Sequence, residues 1–400
     1  MKIKKWLRKI KHTHILALAF LVYIAYIGAS ALPPALVHVA AASAGNPGIM
    51  AARNKADAEY KAMLTFTNSF LANKGTYINL NGLMARAMGQ REMNVRVRLN
   101  NGHLVGVIGT RDVMPAAAEM IRLYNRVAAD GKAFLFVLAP SQVSKYEDLM
   151  PVGYEDCTNQ NSDNMLAILR DADVPVLDLR ETLHNEGISH TDAFFKTDHH
   201  WKPETGVWAY TKIIERLTID GTIPAIDPMY TDLAQFQSEV YEDWFLGSSG
   251  KRTGRYFVGT DDFSVITPLF DTFLSVSIPS ADIEKQGDFA TISFNQDANV
   301  RDFFLSGPYT GYGHSDRDFV SYRNALAPVD KKLLSIGDSF GNVPLTFMPL
   351  AIGSCDELDM RHYTDDFAQY YTEYDPDIVI MLVNNETIAQ DNTTYVFFPE

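Results

Sequence analysis

Cysteine is scarce, with two residues, Cys157 and Cys355, in 400. Two thiols are too few for a disulfide framework or a thiolate metal centre, and at most one bridge can form. Positive charge is in deficit too: 35 Lys and Arg stand against 49 Asp and Glu, a net charge of −14. Six of the positives (Lys2, Lys4, Lys5, Arg8, Lys9, Lys11) fall within the first eleven residues, so the remaining chain is more acidic still. Such a body repels phosphate backbones, which argues against nucleic acid as a partner. No Gly-rich phosphate loop, internal repeat or low-complexity tract is visible, and nothing in the sequence calls for a cofactor.

Long uncharged runs are also rare, and the clear case is "ILALAFLVYIAYIGASAL" (Ile15–Leu32), 18 residues behind the basic start. A charge at mid-bilayer costs several kcal/mol, so this run is a membrane span or a long signal segment. The lysines keep the N-terminus in the cytoplasm and place everything after Leu32 outside. "AASAG" (Ala41–Gly45) is a candidate cleavage site, but it lies far past the apolar run, which favours a retained anchor over residues 1–32. Residues 33–60, rich in Ala, Gly and Asn, read as a linker.

Further along, apolar strands alternate with amphipathic helices. Met120, Leu123, Tyr124 and Val127 mark a helical face before "AFLFVLAP" (Ala133–Pro140). Met165, Leu166 and Leu169 precede "VPVLDLR" (Val174–Arg180), and Pro203 and Glu204 open a helix through Leu217. The rhythm breaks over 221–330, which reads as a β-rich insertion, and resumes over 331–400 with "KKLLSIGDSF" and "DIVIMLV". An α/β fold with a mostly parallel sheet and helices on both faces follows, its first part at 61–220.

Two motifs carry chemistry. Ser339 sits in "SIGDSFGN", where an apolar strand ends at Gly337. Open α/β sheets bind ligands at the carboxyl ends of their strands, and a serine N–H at such a turn can help bind an oxyanion. Gly337 is expected to permit the turn and Gly341 to leave room for substrate. A serine nucleophile needs a base, and the base needs orienting. "TDHHW" supplies both: in an extended loop Asp198 and His200 share a face, so His200 is the base and Asp198 its orienter, with His199 turned away. The competing readings are a zinc site, with no third histidine or HExxH spacing nearby, and a structural loop around a buried Trp201.

These blocks together resemble the DHHW family of extracytoplasmic SGNH-like proteins, which are similar to alginate O-acetyltransferases. The resemblance rests on "FFKTDHHW" (Phe194–Trp201) and "IGDSFGN" (Ile336–Asn342), with "YINLNGLMAR", "LAPSQ", "GKRTG" and "DMRHY" as weaker matches. It implies a circularly permuted SGNH-hydrolase-like fold, because the serine block follows the histidine block. By motif, Ser339 is nucleophile, His200 base and Asp198 orienter, with Arg361 where relatives carry a basic residue beside the site. Asn384 and Asn385 stand where relatives show Glu-Arg, and Asn385 is a candidate amide donor to the oxyanion.

The expected activity is a membrane-anchored O-acetyltransferase acting on a cell-surface or exported polysaccharide. The resemblance also implies a membrane-bound O-acyltransferase partner that supplies the acetyl group. An acetyl esterase with the same triad, or a non-catalytic carbohydrate-binding subunit, are the alternatives. Tyr241, Trp244, Phe245, Tyr256, Tyr309 and Tyr312 are candidates for stacking on sugar rings or for the core.

Overall fold

The computed structural model describes Leu21 and residues 74–314, 317–387 and 397–398. The run read as a membrane span and the linker lie outside the described residues, Leu21 excepted. Among the described residues no helix is long and apolar enough to cross a membrane. The chain divides into two compact units, Met1–Ile78 and Asn79–Glu400, and the fold below is that of the second.

It opens with helix α1 (Lys74–Ala87) and a small antiparallel sheet, β1 (Glu92–Met93), β2 (Arg96–Arg98) and β3 (Leu104–Val105). Then come α2 (Met114–Ala129), β4 (Ala133–Ala139), α3 (Thr158–Asp171), β5 (Val176–Asp178) and α4 (Pro203–Ile219). Next are β6 (Phe236–Phe245), the short helices α5 (Ser248–Thr253) and α6 (Arg255–Val258), and β7 (Asp261–Pro268). Strands β8 (Leu274–Ile278), β9 (Ile283–Gly287), β10 (Phe319–Arg323) and β11 (Val329–Gly337) follow. Helix α7 (Asn342–Phe347), β12 (Ile352–Leu358), α8 (Phe367–Tyr374) and β13 (Ile378–Asn384) complete the unit.

The main sheet has the order β5-β4-β13-β11-β12-β10-β8-β9. Its first five strands are mutually parallel, and β10, β8 and β9 extend one edge by antiparallel pairing. The stretch 221–330 therefore splits: β6 and β7 form a separate ribbon, while its later strands continue the main sheet.

Strand β4 is apolar along its length because both faces are covered. Leu135, Val137 and Ala139 join α4 and α7 in one core, while Phe134, Phe136 and Leu138 join α2, α3 and α8 in the other. Helix α4 begins at Pro203, whose fixed φ suits a first helical position. Its Gly206 lies so close to α7 that a Cβ there would stand 2.5 Å from Val343 Cβ. Helix α4 follows the "TDHHW" loop and α7 follows Ser339, so this contact draws the two motifs together.

Cys157 and Cys355 are both free and buried. The single bridge that sequence allowed does not form: Cys157 sits beside Thr110, and Cys355 lies in the core on β12.

One acid is out of place. Glu357 on β12 lies between Val320 and Ser335 of the neighbouring strands, and its Oε1 is sealed from solvent without a partner. Burial, with Asp356 adding to it, pushes its carboxyl up to about 8. A raised carboxylate pKa means the folded state holds a proton the unfolded chain has released, so stability falls as pH rises from 4.5 to about 8. Glu357→Gln should leave stability unchanged at acid pH and raise it by roughly 1–3 kcal/mol in alkaline buffer. Urea unfolding of both proteins across this window checks it.

Candidate active site

Three strands of the main sheet, β4, β13 and β11, end side by side, and the polar residues that follow them gather at this carboxyl edge. After β11 the chain turns sharply through Asp338, Ser339 and Phe340. Asp338 fastens that turn: its Oδ1 accepts from Phe340 N at 2.9 Å. Its Oδ2 accepts from Asn384 N at 2.9 Å, Asn384 Nδ2 at 3.1 Å and Thr387 Oγ1 at 2.7 Å. Burial pushes the Asp338 carboxyl up, against the pull of these donors.

The "TDHHW" loop is pinched at its base, where Phe194 pairs with Trp201 and Lys202 N donates to Ala193 O at 2.9 Å. Asp261 holds its crest, accepting from Lys196 N, Thr197 N and Thr197 Oγ1 at 2.8, 2.8 and 2.6 Å. Gln142, beyond β4, donates to Phe195 O. From α5, Gly250 N donates to Thr197 O at 2.8 Å and Ser248 N to Asp198 Oδ2 at 2.5 Å. Gly247 packs so tightly on Asp198 that a Cβ would lie 2.2 Å from Asp198 Cβ.

Held this way, Asp198 Oδ1 stands 2.6 Å from His200 Nδ1, and His200 Nε2 stands 2.7 Å from Ser339 Oγ. All three residues are buried. Burial pushes the Asp198 carboxyl up, but the adjacent His200 and His199 and the Ser248 N–H more than offset this and hold it well below the usual carboxylate range. A carboxyl held down in this way favours positive charge on the imidazole beside it. The Tyr309 ring stacks on His200 with centroids 4.1 Å apart, and its hydroxyl donates to Ser339 O at 3.2 Å.

The arrangement brings together Asp198, His200 and Ser339 from segments 139 positions apart. The reason differs from the one read in sequence. The loop is not extended: Asp198 Oδ1 also accepts from His200 N at 3.1 Å, closing a tight turn. His199 is accordingly not turned away but lies against His200, ring centroids 3.8 Å apart, with Nδ1 3.2 Å from Ser248 Oγ. Ligating atoms of Asp198, His199 and His200 lie within 4.8 Å of one another, a spacing that suits a metal. Both His200 nitrogens are already engaged, however, as a proton relay requires.

The other expected residues fare differently. Asn385 follows directly on the end of β13 and is 1 % exposed, with neither Oδ1 nor Nδ2 bonded. A buried carboxamide without partners costs free energy unless something fills its place. Arg361 forks onto Asp359 at 2.8 and 2.5 Å, at the end of β12 beside the serine strand. Gly337 stays within β11, where a Cβ would lie 2.9 Å from Leu382 O, so close strand packing rather than a turn explains it. Gly341 likewise makes room for Leu345 of α7 rather than for substrate. Among the aromatics, Phe245, Tyr309 and Tyr312 are buried, whereas Tyr256 is exposed.

The sequence marks Tyr309 only as a ring for sugar or core, whereas its place is against His200, and two further neighbours were missed altogether. Arg96 on β2 donates to Ser249 Oγ at 3.0 Å and interacts with Asp198 and Glu386 through charge. Glu386 is pushed up to about 7 by burial, against the pull of Arg96 and His200. No local pattern flags Arg96 or Glu386.

An SGNH-like α/β fold, with a serine, histidine and aspartate at the carboxyl edge of its sheet, is the class these features define. Residues 110–235, which contain the "TDHHW" loop, match the family model of the SGNH hydrolase-like domain of the acetyltransferase AlgX. The resemblance to DHHW proteins extends to the fold. A DHHW family protein from Eubacterium siraeum superposes with a TM-score of 0.57 at 18% identity, covering 74% of this chain and 96% of that one. Bacillus cereus PatB1 gives 0.60 at 18% identity, covering 75% and 98%. PatB1 with a sulfonyl adduct gives 0.61 at 17%, covering 78% and 99%. No curated protein matches the chain.

A relay of this kind should make Ser339 unusually reactive. A fluorophosphonate is expected to label Ser339 in the native protein and roughly 10²–10⁴-fold more slowly in His200→Ala. Gly247→Ala, which displaces Asp198, should slow labelling in the same direction. Gly109→Ala, with open space around the new methyl, should react like the native protein. Labelling rates by mass spectrometry decide it.

Proposed function

We propose that this protein is an extracytoplasmic, membrane-anchored O-acetyltransferase that acetylates hydroxyls of a cell-surface or exported polysaccharide. The observation that carries the reading is the unbroken relay from Asp198 through His200 to Ser339. The match of residues 110–235 to an acetyltransferase model supports acyl transfer over other serine chemistry. The basic start and apolar run of the N-terminus support anchoring.

In the first half-reaction Ser339 Oγ attacks the carbonyl carbon of an acetyl donor as His200 Nε2 takes its proton. Asp198 stabilises the imidazolium and keeps the ring oriented. The developing oxyanion lies against the Ser339 N–H and the Asn385 Nδ2 donor, which would otherwise stay unpaired. His200 returns its proton to the leaving group as the tetrahedral adduct collapses to acetyl-Ser339. A sugar hydroxyl then gives its proton to His200, attacks the acetyl-serine, and leaves as the O-acetyl ester while Ser339 regains a proton. The donor side of this cycle calls for a membrane-bound O-acyltransferase, since cytosolic acetyl thioesters do not reach an exterior site.

The test is to incubate the protein with an activated acetyl ester, with and without oligosaccharide, and follow the acetyl group by mass spectrometry. Acetyl on Ser339 and then on sugar is expected, with neither in Ser339→Ala. Asn385→Ala should slow acylation by roughly 10²–10³-fold, the usual weight of one oxyanion donor. Ester consumption without sugar product would make the protein an esterase. No Ser339 adduct at all would leave a binding subunit.

A further inference from the structure

Helix α1 presents the wrong face to water. At helical spacing Leu80, Leu83, Met84 and Ala87 share one side, and Gly82 and Ala85 the other. The buried side is the small one. Gly82 sits where a Cβ would be 2.2 Å from Thr253 O, and Ala85 packs with Met93, Leu104, Phe257 and Val258. The outward side is large and apolar: Leu80, Leu83 and Met84 are 53%, 49% and 55% exposed. Met88, whose N–H still bonds Met84 O, is 65% exposed.

The neighbouring hairpin repeats the pattern. Its tip carries Val95 in a left-handed conformation, φ 56°, with 69% exposure. A β-branched residue is costly there, and glycine or asparagine would serve a turn better. The tip docks through Asn94 Nδ2 on Arg252 O at 2.6 Å, one residue from the Thr253 carbonyl that receives Gly82. Helix and hairpin tip therefore stand beside each other on the same short helix, α5.

Charge sets this region apart from the rest. Residues 79–111 hold Arg86, Arg91, Arg96, Arg98 and Arg111 against the single acid Glu92, in a chain of net charge −14. Glu92 is engaged by the Tyr154 hydroxyl at 3.0 Å. Arg98 is held below its ordinary value by burial first and then by Arg86 and Arg91, so these guanidiniums crowd one another.

We infer that the outward face of α1 and the adjoining Val95 tip form a docking surface for an anionic lipid bilayer. Exposed leucine and methionine enter the headgroup boundary while arginines meet lipid phosphate, the composition of an interfacial helix. A protein partner would explain the apolar stripe, but a local excess of arginine over acid on an otherwise acidic molecule matches a negative surface. The chain's own apolar run, Ile15–Leu32, lies N-terminal to this helix, where a bilayer is expected. The inference does not rest on the acyl-transfer reading, and its test does not use activity.

Full-length Met84→Cys and Met88→Cys proteins, labelled with an environment-sensitive fluorophore, are reconstituted in vesicles that carry a lipid-attached quencher. The native cysteines are buried and stay unlabelled under native conditions. Leu326→Cys, 58% exposed on the turn between β10 and β11, is the control. Strong quenching at 84 and 88 but not at 326 is expected in vesicles of phosphatidylglycerol and phosphatidylcholine. Quenching should fall in phosphatidylcholine alone, in high salt, and in Arg91→Gln. Leu83→Glu should abolish quenching at 88 without changing the unfolding midpoint, since Leu83 packs outward. Equal quenching at all three positions, or none, overturns the inference. So does a label already shielded in detergent, which would mean that another segment of the chain covers the face. Shielding that appears only with a purified membrane-bound acyltransferase overturns it in favour of a protein partner.

Discussion

The site depends on the close packing of α4 on α7. Gly206 meets Val343 with no space for a methyl group between them. Each helix is the continuation of one motif: the histidine loop runs into α4, and the serine turn runs into α7. Two segments far apart in sequence are thus set in register by the helices behind them, and loop closure over such a distance is tolerable only when a sizeable core repays it. That core is present, with Val207, Tyr210, Ile213, Ile214 and Leu217 of α4 joining Val343, Leu345 and Phe347 of α7.

Around this frame the loops are held by polar clamps rather than by regular structure. Asp261 fixes the crest of one loop and Asp338 the base of the other, each a buried carboxylate with its oxygens occupied by backbone and hydroxyl donors. Burial raises both acids, so each clamp holds against a desolvation cost that its donors only partly offset. Asp198 is the exception, driven down by imidazole neighbours. Three buried aspartates within one site thus divide into two fasteners with raised carboxyls and one carboxyl held down, and the difference comes from which groups each one faces.

Much of the fold was legible because it lies in apolar period. The strand Ala133–Ala139 is a continuous apolar run, Ile378–Asn384 is one up to its last residue, and the intervening helices show clear faces. The antiparallel extension by β8, β9 and β10 was hidden, since short, mixed strands carry no sign of which sheet they join. At the site, Ser339, His200 and Asp198 could be paired because their chemistry demands company. A backbone turn, not the extended loop expected from the sequence, aims His200. Asn384 stands where relatives show a different residue, and its side chain secures Asp338. Arg96 and Glu386 were invisible, and Tyr309 was legible only as an aromatic for sugar or core, because each reaches the site through tertiary packing alone.

The central claim is that His200 is an aimed, neutral base, with its proton on Nδ1 facing Asp198 and its Nε2 lone pair facing the Ser339 hydroxyl. Nitrogen-resolved NMR of a histidine-labelled sample tests this directly. The account predicts a far-downfield Nδ1 proton for His200, an unprotonated Nε2, loss of the downfield signal in Asp198→Asn and a shifted Nε2 resonance in Ser339→Ala. A His200 ring protonated on Nε2, with no downfield proton and no response to either substitution, would contradict it.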